Sequence, residues 1–225
     1  MSDTVKLMVV APCHSDTIGP LTDALARFAP ACVLIVPANW QPGAQHSQDA
    51  GPTDPAPLDQ EVCRTLVELI QGHETAAIVA NDATAAAATD ADGCHLDTHT
   101  DLEDLYGNTR KYLGSNAIVG AMPGATRHMA MALAEAGADY VGYVVNGRDD
   151  ASGLEFIAWW AEIFESPVVA FTDGDLATCR RAIEAGPPDF LSCPLQVNGE
   201  IAHLQGLLQL IDDIGLLPIA KPDAK

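Results

Sequence analysis

A chain of 225 residues is long enough for one large domain or two small ones, and 48% hydrophobic against 19% charged residues describes a globular rather than a disordered protein. Eleven basic residues face 31 acidic ones, a formal net charge of −20, which argues against nucleic acid or an anionic membrane surface as a partner. The same charge means that any phosphate site has to be built locally, from backbone N–H groups, a metal or a few well-placed cations.

In chain order, short apolar runs alternate with longer amphipathic ones. The first strand is expected at Val5 to Ala11, followed by a loop, "PCHSD", and a helix from Thr17 to Ala29. The second strand, Ala31 to Pro37, leads into a polar, Pro- and Gly-rich loop over 38–58. A helix follows from about Asp59 to Gly72, with Leu58, Val62, Leu66 and Leu69-Ile70 on one stripe. The third strand is Ala76 to Ala80, then a short alanine-rich helix near Thr84 to Thr89, then a fourth strand, Gly93 to Leu96. The next units read helix Asp101 to Leu113, strand Ala117 to Met122, and a helix in "TRHMAMALAEAG" that stops at Gly137. Strand Tyr140 to Val145, helix Gly153 to Glu165, strand Pro167 to Phe171 and helix Asp175 to Ala185 follow. Strand Asp189 to Cys193 and helix Glu200 to Ile214 close the series, and the tail over 216–225 reads as flexible.

Eight short strands, apolar on both faces and each followed by a helix, predict one (β/α)₈ TIM barrel across 1–225. The alternative arrangement is an open doubly wound sheet. In a barrel, residues at strand C-termini share one mouth. Asn81 and Asp82 end the third strand and Asp97 ends the fourth, so two neighbouring units present acidic groups to the same place.

No apolar run reaches the roughly 18 residues that a bilayer span needs. Met1-Ser2-Asp3-Thr4 lacks a basic region leading into an apolar one, so no membrane association and a cytoplasmic location are expected. Cys13, Cys32, Cys63, Cys94, Cys179 and Cys193 form no CxxC pair, and several lie inside apolar runs; they read as reduced core thiols.

The segment "IVANDATAAAATDADGCHLD" resembles the thiamine phosphate synthase and thiazole tautomerase family, in which a strand ends in Asn-Asp and the next unit reads Ala-Asp-Gly-x-His-Leu. "LGSNAIVGAMPGATRHMAMALAEAGADYVGY", "GLEFI" and "SPVVAF" are similar to its later units, so the resemblance covers about Ala76 to Ala185. It implies a (β/α)₈ fold and a transferase reaction that joins a pyrimidine pyrophosphate to a thiazole phosphate with Mg²⁺. It would give Asp82 and Asp101, with Asp97 as a substitute, to the metal. Asn81, Arg148, Thr172, Gly174 and Ser192 would contact a small phosphorylated heteroaromatic ligand. Homodimer formation is left open.

The departures from that pattern are specific. "HLDTHTD" lacks the Gly-Gln that follows His-Leu in the family, and "VLIVPAN" lacks the Gln-x-Arg-x-Lys that holds pyrophosphate. The loop after the sixth strand is shortened to "NGRDDAS", and Met122-Pro123-Gly124 replaces a Ser and His. Asp82, Asp97, Asp101, Asp149, Asp150 and Asp173 then face Arg148 alone. Like charges about 4 Å apart repel by roughly 4 kcal/mol at an effective dielectric of about 20, so weak or absent synthase activity is expected. The expected alternatives are a non-catalytic binding or regulatory relative and a phosphate-binding barrel enzyme with another substrate.

Other polar residues have ordinary readings. Asp82 suits the N-cap of the helix that follows it. His95 suits a hydrogen-bonded core position. Asp97, His99 and Asp101 would share one face if extended, a pattern open to a transition metal, and His14 could join it. Trp159-Trp160 suit packing of the sixth helix on the barrel.

Alkylation of the unreduced, denatured protein, read by mass spectrometry, is expected to add six adducts; a native disulfide between any pair would remove the cytoplasmic argument.

Overall fold

The computed structural model describes residues 4–42, 57–97, 101–124, 126–145, 151–195 and 202–213. Eight parallel strands close into a barrel in sequence order. The first half comprises β1 (Lys6–Pro12), α1 (Ile18–Phe28), β2 (Cys32–Val36), α2 (Gln60–Gln71), β3 (Ala76–Ala80), α3 (Ala83–Ala88), β4 (Gly93–Leu96) and α4 (Leu102–Leu113). The second comprises β5 (Ile118–Ala121), α5 (Arg127–Glu135), β6 (Tyr140–Val144), α6 (Ala151–Ile163), β7 (Val168–Phe171), α7 (Leu176–Ala185), β8 (Phe190–Pro194) and α8 (Ala202–Asp213). The open-sheet alternative is thereby set aside: β1 pairs with β8, Leu7 beside Leu191. Expected boundaries move by one or two residues, because a 3-10 turn at Ser15–Thr17 precedes α1 and α6 begins at Ala151. The parts of the expected 38–58 loop at 43–56, and the tail at 216–225, lie outside the described residues.

Alternate strand residues point outward and inward. Leu7, Val9, Val33, Ile35, Ala77, Val79, Val141 and Ala170 join the layer that the helices cover. Met8, Val10, Cys32, Leu34, Val36, Ile78, Ala80, Tyr140, Val169 and Phe171 fill the barrel. All six cysteines are buried and unbridged. Trp160 is fully buried in a stack with Phe156 and Phe164, and Trp159 is half-buried beside it.

Glycines decide what the interior can hold. A Cβ on Gly120 would lie 2.0 Å from the Tyr140 ring, and one on Gly142 would lie 2.5 Å from the Phe171 ring. Two large rings therefore occupy space that any other residue at 120 or 142 would take.

Three strands, β4, β6 and β8, share a second device. Asp92, just before β4, accepts the Ala77 N–H at 2.8 Å. Asp139, before β6, accepts the Val119 N–H at 2.7 Å, and Asp189, before β8, accepts the Val168 N–H at 2.9 Å. Each carboxylate satisfies a backbone donor near the start of the preceding strand, which would otherwise be buried unpaired. Asp139 also holds Arg110, whose guanidinium reaches the Ala117 carbonyl.

Gly120→Ala is expected to cost about 1–3 kcal/mol through overpacking against Tyr140. Gly107→Ala, on α4 with open space around it, should gain up to about 1 kcal/mol from helix propensity. Urea unfolding of the pair checks both; equal stabilities would show that the ring does not need the glycine.

Candidate functional site

At the C-terminal ends of β3 and β4 the chain builds a side-chain network around one carboxylate. Asn81 takes a left-handed conformation, φ 57°, which Asn tolerates better than most residues. Its backbone N–H donates to the His95 carbonyl at 2.7 Å, extending the β3–β4 ladder. That geometry turns the Asn81 amide onto Asp97: its Oδ1 accepts the Asp97 N–H at 2.8 Å and its Nδ2 donates to Asp97 Oδ2. The same Oδ2 accepts the indole N–H of Trp40, which arrives from the turn after β2 and crosses the mouth. The indole meets Phe171 of β7 edge-on, ring centres 6.0 Å apart.

Below Asp97 lies His95, fully buried inside the barrel. Its ring is parallel to Tyr140 at 5.7 Å and tilted on Phe171 at 5.2 Å. Its Nδ1 is 3.0 Å from the Tyr140 hydroxyl and its Nε2 is 3.4 Å from Asp97 Oδ1. Burial pushes the Tyr140 phenol well up, so it stays protonated and can donate to Nδ1. The Nε2–H of the resulting tautomer faces Asp97. Burial opposes ionisation of Asp97, but the interactions with His95 and the donors from Trp40 and Asn81 outweigh it and hold the carboxyl below its usual range.

The remaining expected site residues fall in three groups. Asp82 is half-buried and its Oδ1 caps α3 by accepting the Ala85 N–H at 2.8 Å. Asp101 is exposed at the N-cap position of α4. Thr172, Gly174 and Ser192 come together where β7 meets β8. The Thr172 N–H donates to the Ser192 hydroxyl at 3.0 Å, the Thr172 hydroxyl to the Ser192 carbonyl at 2.9 Å, and the Gly174 N–H to Thr172 Oγ1 at 3.2 Å. These donors are engaged inside the chain. Arg148, with His99, Asp149 and Asp150, lies outside the described residues.

Among the described residues, no group of three or more His, Cys, Asp or Glu is arranged to hold a metal ion. Asp97 fits a metal ion poorly, because its Oδ2 already takes two N–H donors. His14 is exposed and accepts the Asp16 N–H at 3.2 Å, as a loop residue would. Cys13 donates to the Asp59 carbonyl at the start of α2; its hydrogen bond with Cys63, followed by burial, pushes the thiol up, away from nucleophilic use.

Among the described residues, three basic side chains are engaged elsewhere. Lys6 stands over Phe190 at the first position of β1, and Arg110 is committed to Asp139. Arg127, which opens α5, stacks on Trp159 at 4.6 Å. Two members of the network were not foreseen from sequence. Trp40 read as the start of a loop, and Tyr140 as a strand residue. The signals available were a lone Trp directly after a buried strand and a Tyr opposite a strand glycine.

A closed (β/α)₈ barrel with polar groups converging at the strand C-termini places the chain in the class of TIM barrels. Within that class the family is shown by comparison. The family model for thiamine monophosphate synthase matches residues 55–187, more than half of the chain, and the chain belongs to that family. It is similar to the thiamine-phosphate synthase of Erythrobacter litoralis (strain HTCC2594), 35% identical over 149 residues that cover 60% of this chain and 67% of that one. It is also similar to the thiamine-phosphate synthase of Rhodospirillum centenum (strain ATCC 51521 / SW), 32% identical over 133 residues, 56% of this chain and 62% of that one. The chain thus spans about two thirds of these relatives. Thiamine phosphate pyrophosphorylase from Pyrococcus furiosus superposes with a TM-score of 0.68 at 21% identity, covering 95% of this chain and 98% of that one. Tryptophan synthase from M. tuberculosis superposes with a TM-score of 0.62 at 13% identity, covering 96% and 95%, so these two likenesses bear on the fold alone. Among the described residues, no helix is long and apolar enough to cross a membrane.

A carboxyl held below its unfolded value adds stability above about pH 4, and that stability is lost as pH falls through the depressed value. Acidification from pH 7 to about 3 should therefore cost the wild type more stability than Asp97→Asn, in urea midpoints taken at each pH. Parallel losses would show that the folded protein does not favour ionised Asp97.

Proposed function

We propose that this family member binds a phosphorylated pyrimidine- or thiazole-type ligand at the C-terminal mouth, with thiamine phosphate synthase turnover reduced or lost. The observation that carries this reading is the tie between Asn81 and Asp97, closed over by Trp40. An Asn that the family resemblance gives to ligand contacts spends both ends of its amide on a carboxylate of its own chain. The engaged donors of Thr172 and Gly174 point the same way.

An acyl- or phosphoryl-type leaving group needs donors or cations aimed at developing charge, and loss of one such donor costs about 3 kcal/mol. The mouth described above offers carboxylates instead. Mg²⁺ typically rides on one or two carboxylates together with substrate phosphates. Asp82, with Oδ1 on its cap, and exposed Asp101 are the residues that would hold it, and Asp97 is not. The ion would neutralise phosphate charge. This chain's own part is to position the ring end against Phe171, where the Trp40 indole now lies.

A steady-state assay for thiamine phosphate formation tests the reading. Turnover is expected far below the roughly 10 per second of a typical enzyme, and a value within tenfold of that would overturn it. In a thermal melt, millimolar Mg²⁺ with inorganic pyrophosphate should raise the wild-type midpoint by an amount set by concentration over Kd. Asp82→Ala should lose that rise as well as about 1 kcal/mol of helix cap. An unchanged wild-type midpoint would leave Asp82 as a cap alone.

A further inference from the structure

We propose that Asp97, held by Asn81 and His95, is a receptor for the paired N–H edge of a planar nitrogen heterocycle or amidinium, seated against Phe171 in the place now taken by the Trp40 indole. This deepens the reading that the mouth takes a small heteroaromatic ligand, and rests on it for that point alone. It assigns the ring end of the ligand, with any phosphate turned away from Asp97.

Trp40 itself is the stand-in. Its half-buried indole shows that a flat aromatic ring carrying an N–H fits between Phe171 and Asp97. It comes from a turn rather than a helix or strand, so its place is not fixed by a backbone ladder.

The second observation is what the indole leaves unmet. Asp97 Oδ2 takes the N–H of Trp40 and an N–H of Asn81. Asp97 Oδ1 and His95 Nε2 are both buried, face each other at 3.4 Å and have no closer hydrogen-bond partner. That separation is beyond the range of about 2.7–3.2 Å for a good N–H···O bond. His95 cannot close the gap freely, because Tyr140 holds its other nitrogen at 3.0 Å and its ring is fully buried. An indole has one N–H and reaches one oxygen. A ligand with two adjacent N–H groups would meet both oxygens as a bidentate pair, the geometry that carboxylates bind best.

Charge favours the same class. The partners of Asp97 are Trp40, Asn81 and His95, and no Lys or Arg is among its described contacts. A cationic or strongly N–H-donating ring would meet an ionised carboxylate with an aromatic face beside it, the pairing that recognises organic cations. A phosphate brought to the same carboxylate would be repelled.

Titration calorimetry with 2-aminobenzimidazole and benzamidine, beside indole and inorganic pyrophosphate, tests the proposal. The two N–H-paired probes should bind the wild type and change its tryptophan fluorescence, and indole should bind at least tenfold more weakly. Asp97→Asn should weaken the paired probes by about tenfold or more, the loss expected for a charge-assisted hydrogen bond. Trp40→Ala should bind them more tightly than the wild type, and Trp40→Phe, which keeps a ring and loses the N–H, serves if the alanine variant does not fold. No binding by the wild type, equal binding by Asp97→Asn, or binding by the Trp40 variants alone would overturn it, the last as an engineered cavity. If the paired probes bind through Asp97 while phosphorylated heteroaromatics do not bind at all, the phosphorylated-ligand reading falls and this one stands. If phosphorylated ligands bind and Asp97→Asn leaves them unaffected, the receptor alone falls.

Discussion

The absence of two Cβ atoms sets the interior of this barrel. Because Gly120 and Gly142 leave the space, Tyr140 and Phe171 can both lie inside. The Tyr140 hydroxyl, buried with its ring, needs a partner, and an unpaired buried hydroxyl would cost on the order of 1–3 kcal/mol. His95 supplies the partner through Nδ1, and in doing so directs Nε2 up toward Asp97. Phe171 provides the surface on which both His95 and Trp40 rest. The arrangement at the mouth is thus built from the bottom of the barrel upward, and the first step is steric.

Asp97 stands where the family resemblance, His-Leu followed by Gly-Gln, has a residue without a side chain. Putting a carboxylate at that strand end changes what the neighbouring groups do. Asn81 uses both ends of its amide on Asp97, and Trp40 reaches it from the turn after β2. Three favourable interactions keep the group ionised despite its burial. The mouth therefore carries a fixed negative centre near its middle, with Asp82 at its edge on the N-terminus of α3.

Strand order, closure and helix positions were legible because they depend on periodicity and on short apolar runs, which are local in sequence. The Asp82 cap was legible for the same reason, because it precedes its helix; Asp175, read as the first residue of its helix, caps it instead. His95 as a hydrogen-bonded core residue was also within reach, since an apolar strand leaves a polar side chain few alternatives. The partners of His95 and Asp97 were not. Tyr140 is 45 residues from His95, and Trp40 is 57 from Asp97. Those contacts are set by how eight strands close, which no local pattern encodes. Asp139 before β6 was visible in a family-like phrase, Gly-Ala-Asp-Tyr, but its role as an acceptor for the Val119 N–H required the strand register.

The acidic excess is easier to understand once each carboxylate is placed. Asp92, Asp139 and Asp189 accept backbone donors of β3, β5 and β7. Asp59, Asp82 and Asp175 accept backbone donors at the starts of α2, α3 and α7. Such partners are part of the fold, and a ligand cannot take them without unfolding a strand end or a helix turn. The Asp97 carboxylate differs, because Trp40, Asn81 and His95 all meet it through side chains. Asn81 is held by its strand end and His95 by Tyr140 and full burial. The Trp40 side chain is held by its edge contact, by packing on the apolar interior and by one hydrogen bond, and its backbone N–H by the Pro37 carbonyl of a turn. Of the three side chains, it is the one that a ligand's ring could replace while the barrel keeps every backbone bond, and that difference in attachment is what would make this carboxylate available for recognition rather than architecture.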